Sequence, residues 1–280
     1  MTESLEVVLL GTGSPIPDPN RAGPATLVRA GGTNLLVDCG RGTLLRAAAA
    51  GTGAAQLDAV LLTHLHSDHI TDLGDVITTH WIMTFAPQAL PVFGPARTRE
   101  VVDGVLASLG PDVEYRLTHH DDLSAGPDIA VTEIGTDESI QLGAAHVVTA
   151  FTEHRPASPS VAYRVEHAGH AVVLAGDTLP CEGLDRLCTD ADVLVHTVIR
   201  DDLIRSIPVP RLHDVCDYHS TVAQAAQTAA RGNVGRLVLT HCVPPLQRDQ
   251  ADEWQSLAAE HFSGVIDVAD DLLRVTAGPT

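Results

Sequence analysis

The sequence predicts an α/β fold in which two β-sheets pack face to face with helices on their outer sides. Two observations carry this expectation. Short apolar runs alternate with stretches of helical period along all 280 residues. In the first half the strand-like runs also follow one another closely, as hairpins do, with helices covering them. No repeat or low-complexity linker interrupts the pattern. Residues 1–280 therefore read as a single domain, with ample length for a core.

Taken in order, strands are expected at 5–10, 25–29, 34–37, 58–62, 91–93, 129–134, 147–151, 160–165, 171–175, 193–196, 236–239 and 272–275. Each is a short, mainly apolar run of the length a buried strand uses. Helices are expected at 43–50, 70–80, 98–108, 184–187, 221–230 and 252–260. There the apolar residues return at helical rather than alternate spacing. Ser220 and Thr221 stand where a helix cap belongs.

The chemistry lies where the strands end. LDAVLLT runs into His64, VVTAFTE into His154, AVVLAG into Asp177 and GRLVLT into His241. Ligands gather at the carboxyl ends of strands in α/β sheets, so the pattern predicts one shared site. The stretch LLTHLHSDHI also packs His64, His66, Asp68 and His69 together. A solvated turn has no need of them, and a core could not hold them unpaired. His64 and His66, two apart on extended chain, point to the same side. Asp68 and His69 follow where the chain turns into a helix, as a second, displaced pair. With His154, Asp177 and His241 the candidates exceed the four ligands of a tetrahedral zinc. Two Zn2+ per chain sharing Asp177 would use them all, and a metal pair roughly 3.5–4 Å apart serves both oxygens of a displacement. His and Asp donors accept iron or manganese as well. Ligands of this kind suit a phosphodiesterase, a small-molecule ester hydrolase of the arylsulfatase or lactonase kind, or a regulatory domain without turnover.

THLHSDH resembles the T-H-x-H-x-D-H signature of the metallo-β-lactamase superfamily. Asp38 in LLVDCG, His154, Asp177 in AGDT and His241 in LTHC follow in that family's order. The resemblance spans nearly the whole chain and implies an αββα metallo-β-lactamase sandwich, with the site at the edge between its two mixed sheets. Within the superfamily the chain is similar to ribonuclease Z. VVLLGTGSPIPDPNRAGPATLV, VDCGRGT, GDTLPCEGL and DYHSTVAQAAQTAA each look like a segment of that family. The resemblance implies a dizinc phosphodiesterase, precursor tRNA cut at its 3′ trailer as substrate, and a homodimer. It also implies that Asp68 binds metal and serves as general base, and that His219 sits near the leaving oxygen as proton donor or transition-state clamp.

Two segments depart from the family's pattern. Where the family has H-E-A-T this chain reads His196-Thr197-Val198-Ile199, so the glutamate expected to orient His219 is missing. Only 22 residues separate His154 from Asp177, room for a hairpin but not for a tRNA-gripping arm. Residues 82–91 are the other place for such an arm, although nothing basic marks them.

The remaining candidates have plainer readings. Asp38 is expected to orient a ligand histidine rather than to bind metal itself. His196 ends a strand and is placed behind the ligands. His119 and His120 are expected in a solvated loop. The GTGS after the first strand lacks the GK[ST] ending of a phosphate loop and reads as a turn beside the site. Five cysteines without a C-x-x-C pair argue against a disulfide framework and for buried, small apolar side chains.

Composition bounds the partners. A net charge of -19 repels RNA unless a basic patch or bound metal reverses the field locally. No run of basic residues appears, and two Trp, three Tyr and four Phe make a poor base-stacking platform. No segment has the length of an apolar membrane span, and MTESLEVVLLGTGS lacks a basic leader, so a cytoplasmic protein is expected.

Overall fold

The structure, a computed structural model, describes residues 4–85, 88–247 and 249–278. The first half of the chain lays down β1 (Leu5–Gly11), β2 (Ala25–Ala30), β3 (Thr33–Val37), β4 (Ala59–Leu61), β5 (Leu90–Gly94) and β6 (Ile129–Glu133). The second half lays down β7 (Ser139–Leu142), β8 (Ala145–Thr152), β9 (Ser160–His167), β10 (His170–Leu174), β11 (Val193–Ile199), β12 (Arg236–Val243), β13 (Val265–Val268) and β14 (Leu273–Thr276). One sheet runs β14-β1-β2-β3-β4-β5-β6, and the other β13-β12-β11-β10-β9-β8-β7. Each is mixed. In the first, β1 to β3 are antiparallel and β3 to β6 parallel. In the second, β7 to β10 are antiparallel and β10 to β13 parallel.

Helices lie outside the sheets: α1 (Thr43–Ala49), α3 (Leu73–Met83) and α4 (Thr98–His119) pack on the first and α5 (Glu182–Cys188), α8 (Val222–Arg231) and α9 (Ala251–Ala259) on the second, while α2 (Ser67–Ile70), α6 (Asp201–Ser206) and α7 (Pro210–His213) are short connecting turns. The inner strands are mainly apolar because both of their faces are buried. On β1, Leu5, Val7 and Leu9 enter the core between the sheets, beside Val147, Tyr163, Val172 and Val195. Val8 and Leu10 point the other way and pack with Ala47, Leu73, Val76 and Ile77 of the helices. A third core joins the second sheet to Leu184, Ala225, Ala229 and Trp254. This is the expected αββα layering.

The structure departs from the sequence expectations at surface elements. β7 and β13 are short, half-exposed edge strands with little apolar signal of their own. α6 and α7 fill a stretch that carried no helical pattern. α4 continues past Ser108 through Gly110 and Pro111 to His119. Both residues of that breaker pair face solvent, and an Arg116–Asp112 ion pair at 2.8 Å supports the turn beyond them. His119 therefore ends a helix rather than lying in a loop. The interval between His154 and Asp177 holds residues 155–159 and the β9–β10 hairpin, as its length required. Within 82–91, residues 86 and 87 lie outside the described residues; around them α3 ends and β5 begins. Cys39, Cys188 and Cys242 are buried as expected, whereas Cys181 and Cys216 are half-buried. No described helix is long and apolar enough to cross a membrane.

Candidate metal centre

The carboxyl ends of β4, β8, β10 and β12 meet at one edge of the sandwich, and local backbone devices aim their side chains inward. Tyr163, fully buried on β9, donates from its hydroxyl to the Leu62 carbonyl at 2.7 Å, which fixes the chain just before His64. Gly176 adopts a φ of +63°, and a Cβ there would lie 2.8 Å from that of Thr63. Glycine thus lets the β10 end carry Asp177 against the β4 end. His241 has a left-handed φ of 51°. Between the pairs Thr197–Thr240 and Ile199–Val243, β12 holds one more residue than β11, and this bulge turns His241 toward the site.

The seven candidate ligands converge. His64, His66, His154 and Asp177 form one group, and Asp68, His69 and His241 another, with one ligand atom from each residue within 4.8 Å of the others in its group. Asp177 Oδ2 stands between the groups. It lies 3.8 Å from His64 Nε2 and 3.9 Å from His154 Nε2 on one side. On the other it is 3.4 Å from His69 Nε2 and 3.7 Å from His241 Nε2. His66 Nδ1 closes the first group, 3.0 Å from His64 Nε2 and 3.2 Å from His154 Nε2. Asp68 Oδ2 closes the second, 3.2 Å from His241 Nε2 and 3.6 Å from His69 Nε2. All are buried except the half-buried His66.

Hydrogen bonds behind the rings fix which nitrogen faces inward. Thr63 donates its hydroxyl to Asp38 Oδ2 at 2.8 Å, so it accepts from His64 Nδ1 at 3.1 Å. His154 Nδ1 donates to the Tyr218 carbonyl at 2.8 Å, and His69 Nδ1 to Asp38 Oδ2 at 2.8 Å. For His64 and His154 the bond leaves Nε2 with its lone pair toward the centre, and for His69 it turns Nε2 inward. Ring lone pairs from His64 and His154 therefore face one another and a carboxylate, while His69 Nε2 and Asp177 Oδ1 are buried without a partner. Such a set of converging acceptors is complete only with cations among them. The donors fit a divalent metal.

Asp38 accordingly orients a ligand without entering either group. Asp38→Ala is expected to lower metal affinity about 10–100-fold. Competition with a chromophoric chelator measures this, and an unchanged affinity would show that the Asp38–His69 bond is idle.

Charge is balanced within the centre. Burial keeps His64 and His66 below the ordinary histidine range, and lowers His154 to about 4. For His69 burial acts the same way, but the fields of Asp177 and Asp38 overcome it and raise the ring well above that range. Burial would raise Asp177, yet His241 and His69 hold it well below the usual carboxylate range. Burial likewise opposes ionisation of Asp68, and the His241 hydrogen bond outweighs it. A metal must therefore displace a tightly held proton from His69, while His64, His66 and His154 are already neutral. The sign follows: below the raised His69 pKa the metal-free protein carries this extra proton, so affinity falls as pH falls. Zinc titrations at pH 6 and pH 8 should show weaker binding at pH 6, with proton uptake by the buffer.

His219 lies beside the metal groups, its Nε2 3.2 Å from Asp177 Oδ2. Burial lowers its pKa, but the bond to Asp177 reverses the effect and leaves it raised. Thr197 stands where the family pattern has a glutamate, and the orienting acceptor is instead the Val215 carbonyl, 2.9 Å from His219 Nδ1. His196 is fully buried, donates from Nδ1 to the Thr197 carbonyl at 2.7 Å, and belongs to neither group. Ser220 donates to the Thr178 carbonyl at 2.7 Å, while Thr221 caps α8 in a capping box with Gln224. The GTGS turn reaches the site through Thr12, whose carbonyl accepts the His241 N–H at 3.1 Å. His119 and His120 are exposed and outside the centre. The sequence offered no signal for the carbonyls of Val215 and Tyr218, because a backbone acceptor leaves no trace in residue type.

Comparison with known proteins identifies the family. Residues 33–242 match the family described as the beta-lactamase superfamily domain. The chain is 56% identical over 284 residues to ribonuclease Z of Mycolicibacterium gilvum, covering 98% of this chain and 97% of that protein. The metallo-beta-lactamase fold protein YhfI of Bacillus subtilis superposes with a TM-score of 0.77 at 22% identity, over 99% of this chain and 100% of that one. The short form of human tRNase Z superposes with a TM-score of 0.72 at 24% identity, over 98% of this chain and 100% of that one. At those identities the two superpositions speak for the fold; the family follows from the matched superfamily domain and the near full-length identity. The chain belongs to the beta-lactamase superfamily and, within it, to the ribonuclease Z family.

Proposed function

We propose that this chain is a dizinc endoribonuclease that hydrolyses phosphodiester bonds and removes the 3′ extension of precursor tRNA. The observation that carries the proposal is the convergence of seven metal-binding side chains on the two sides of Asp177 Oδ2, in a member of the ribonuclease Z family. His64, His66 and His154 would hold one zinc, Asp68, His69 and His241 the other, and Asp177 both. When bound, such a pair lowers the pKa of water and offsets charge on phosphoryl oxygens. Asp68, kept ionised by His241, accepts the proton that the attacking water gives up. His219 keeps its Nδ1 proton on the Val215 carbonyl and delivers one from Nε2 to the departing alcohol oxygen.

The proposal covers residues 1–280 as one catalytic domain, at work in the cytoplasm. It also includes a homodimer. Ile16, Leu45, Met83, Phe85 and Tyr115 are large side chains left on the surface, and a second copy would add its own surface to an RNA grip that this chain's hairpin is too short to provide. Metal removal tests the core of the reading. Chelation should abolish hydrolysis of bis(p-nitrophenyl) phosphate, and two equivalents of zinc should restore it; full recovery at one equivalent would defeat the two-metal assignment.

A further inference from the structure

We infer that Asp271, near the C-terminus, is a positioning residue for the metal centre and acts on His241 through Thr12. Asp271 and Thr12 lie outside the stretch 33–242 that matches the superfamily domain, and neither belongs to the two groups of candidate ligands. The inference rests on the proposed assignment of His241 as a ligand.

Four hydrogen bonds converge on the Asp271 carboxylate, whose side chain is only 7% exposed. Oδ1 accepts from the Thr12 N–H at 3.0 Å and from the Thr12 hydroxyl at 2.8 Å. Oδ2 accepts from the Ala22 N–H at 2.8 Å and from Arg46 Nε at 2.8 Å. Arg21 completes the cage. Its Nη1 donates to the Thr12 hydroxyl at 2.5 Å and to the Ala269 carbonyl at 2.8 Å, while its Nη2 pairs with Asp270. Every polar group of Thr12 is thus engaged, and the remaining one, its carbonyl, accepts the His241 N–H at 3.1 Å.

That last bond matters because of where His241 sits. It occupies a bulge with a left-handed φ, a conformation that a non-glycine residue keeps only when its surroundings hold it there. Its ring gains no help from behind, since Nδ1 is buried without a partner. His64, His69 and His154 are each steered by a bond to Nδ1; His241 is steered through its backbone. The Thr12 carbonyl also joins the end of β1 in one sheet to β12 in the other, so Asp271 sets the spacing across the sandwich at the metal edge. Asp271→Asn must bring an NH2 group against either Thr12 or Ala22, whose groups are donors too. One side of the cage therefore opens while side-chain volume is preserved.

Metal-free wild-type and D271N protein titrated with Co2+ against a competing chelator, with the visible spectrum recorded, tests this. We expect the wild type to bind two Co2+, and D271N to bind one unchanged and the other about 10–100-fold more weakly, with an altered band for that ion. Arg46→Ala removes only the outer arm of the cage and should behave as wild type. Thr12→Val, which deletes the hydroxyl arm and keeps the carbonyl, should weaken the same ion by a smaller factor and decides the matter should D271N not fold. Two ions bound by D271N and by Thr12→Val with wild-type affinity and spectrum would overturn the inference. So would equal loss of both ions alongside a lowered metal-free melting temperature, the mark of general destabilisation. A wild type that binds fewer than two Co2+ would instead defeat the two-metal reading on which the inference rests.

Discussion

Asp177→Ala should reduce turnover of bis(p-nitrophenyl) phosphate by about four orders of magnitude, or about 5 kcal/mol of transition-state stabilisation. Asp177 faces both metal groups, since its Oδ2 lies within 3.9 Å of nitrogens from each. Its removal also leaves His69 without the larger of the two carboxylate fields that raise its pKa, so the ring should titrate lower. Metal content of the dialysed variant provides the second readout and should fall below two per chain. Asp177→Asn keeps the shape but not the charge, and should resemble the alanine variant in rate. A variant that kept both metals and lost less than tenfold in rate would show that the bridge is not needed.

His219→Ala should leave metal content intact and lower kcat for RNA by about 10²–10⁴-fold, the range for loss of a positioned general acid. The effect should depend on the leaving group. A nitrophenolate departs without a proton, whereas a ribose alkoxide does not, so the small diester should lose much less than RNA. KM should change little, because the proton from Nε2 is worth most in the transition state. Equal losses on both substrates would assign His219 to binding or to structure instead. Its setting favours the acid role: Nδ1 is tied to the Val215 carbonyl, and Nε2 is the nitrogen that looks into the centre.

The site was more legible in the sequence than the surface of the fold. His64, His66, Asp68 and His69 announce themselves because polar, titratable side chains behind an apolar strand have no cheap alternative use. His154, Asp177 and His241 could be joined to them because each ends a strand, and strand ends of one sheet edge must meet. The two-sheet layering was legible for a similar reason, since strands buried on both faces leave continuous apolar runs. Edge strands such as β7 and β13 have one wet side and one unpaired side, so their pattern is weak. α4 was cut short by a proline that its solvent-facing position tolerates. Asp271 was invisible as a site element, because a lone acidic residue near the C-terminus carries no spacing that ties it to Thr12, 259 positions away.

The measurement that reaches the central claim most directly is cleavage of a 3′-extended precursor tRNA by the zinc-loaded protein, with both new ends mapped. A single endonucleolytic cut after the discriminator base is expected, lost on chelation and in Asp177→Ala. An untouched tRNA, with small diesters or carboxylic esters hydrolysed readily, would contradict it and leave a metallohydrolase of another substrate class on this fold.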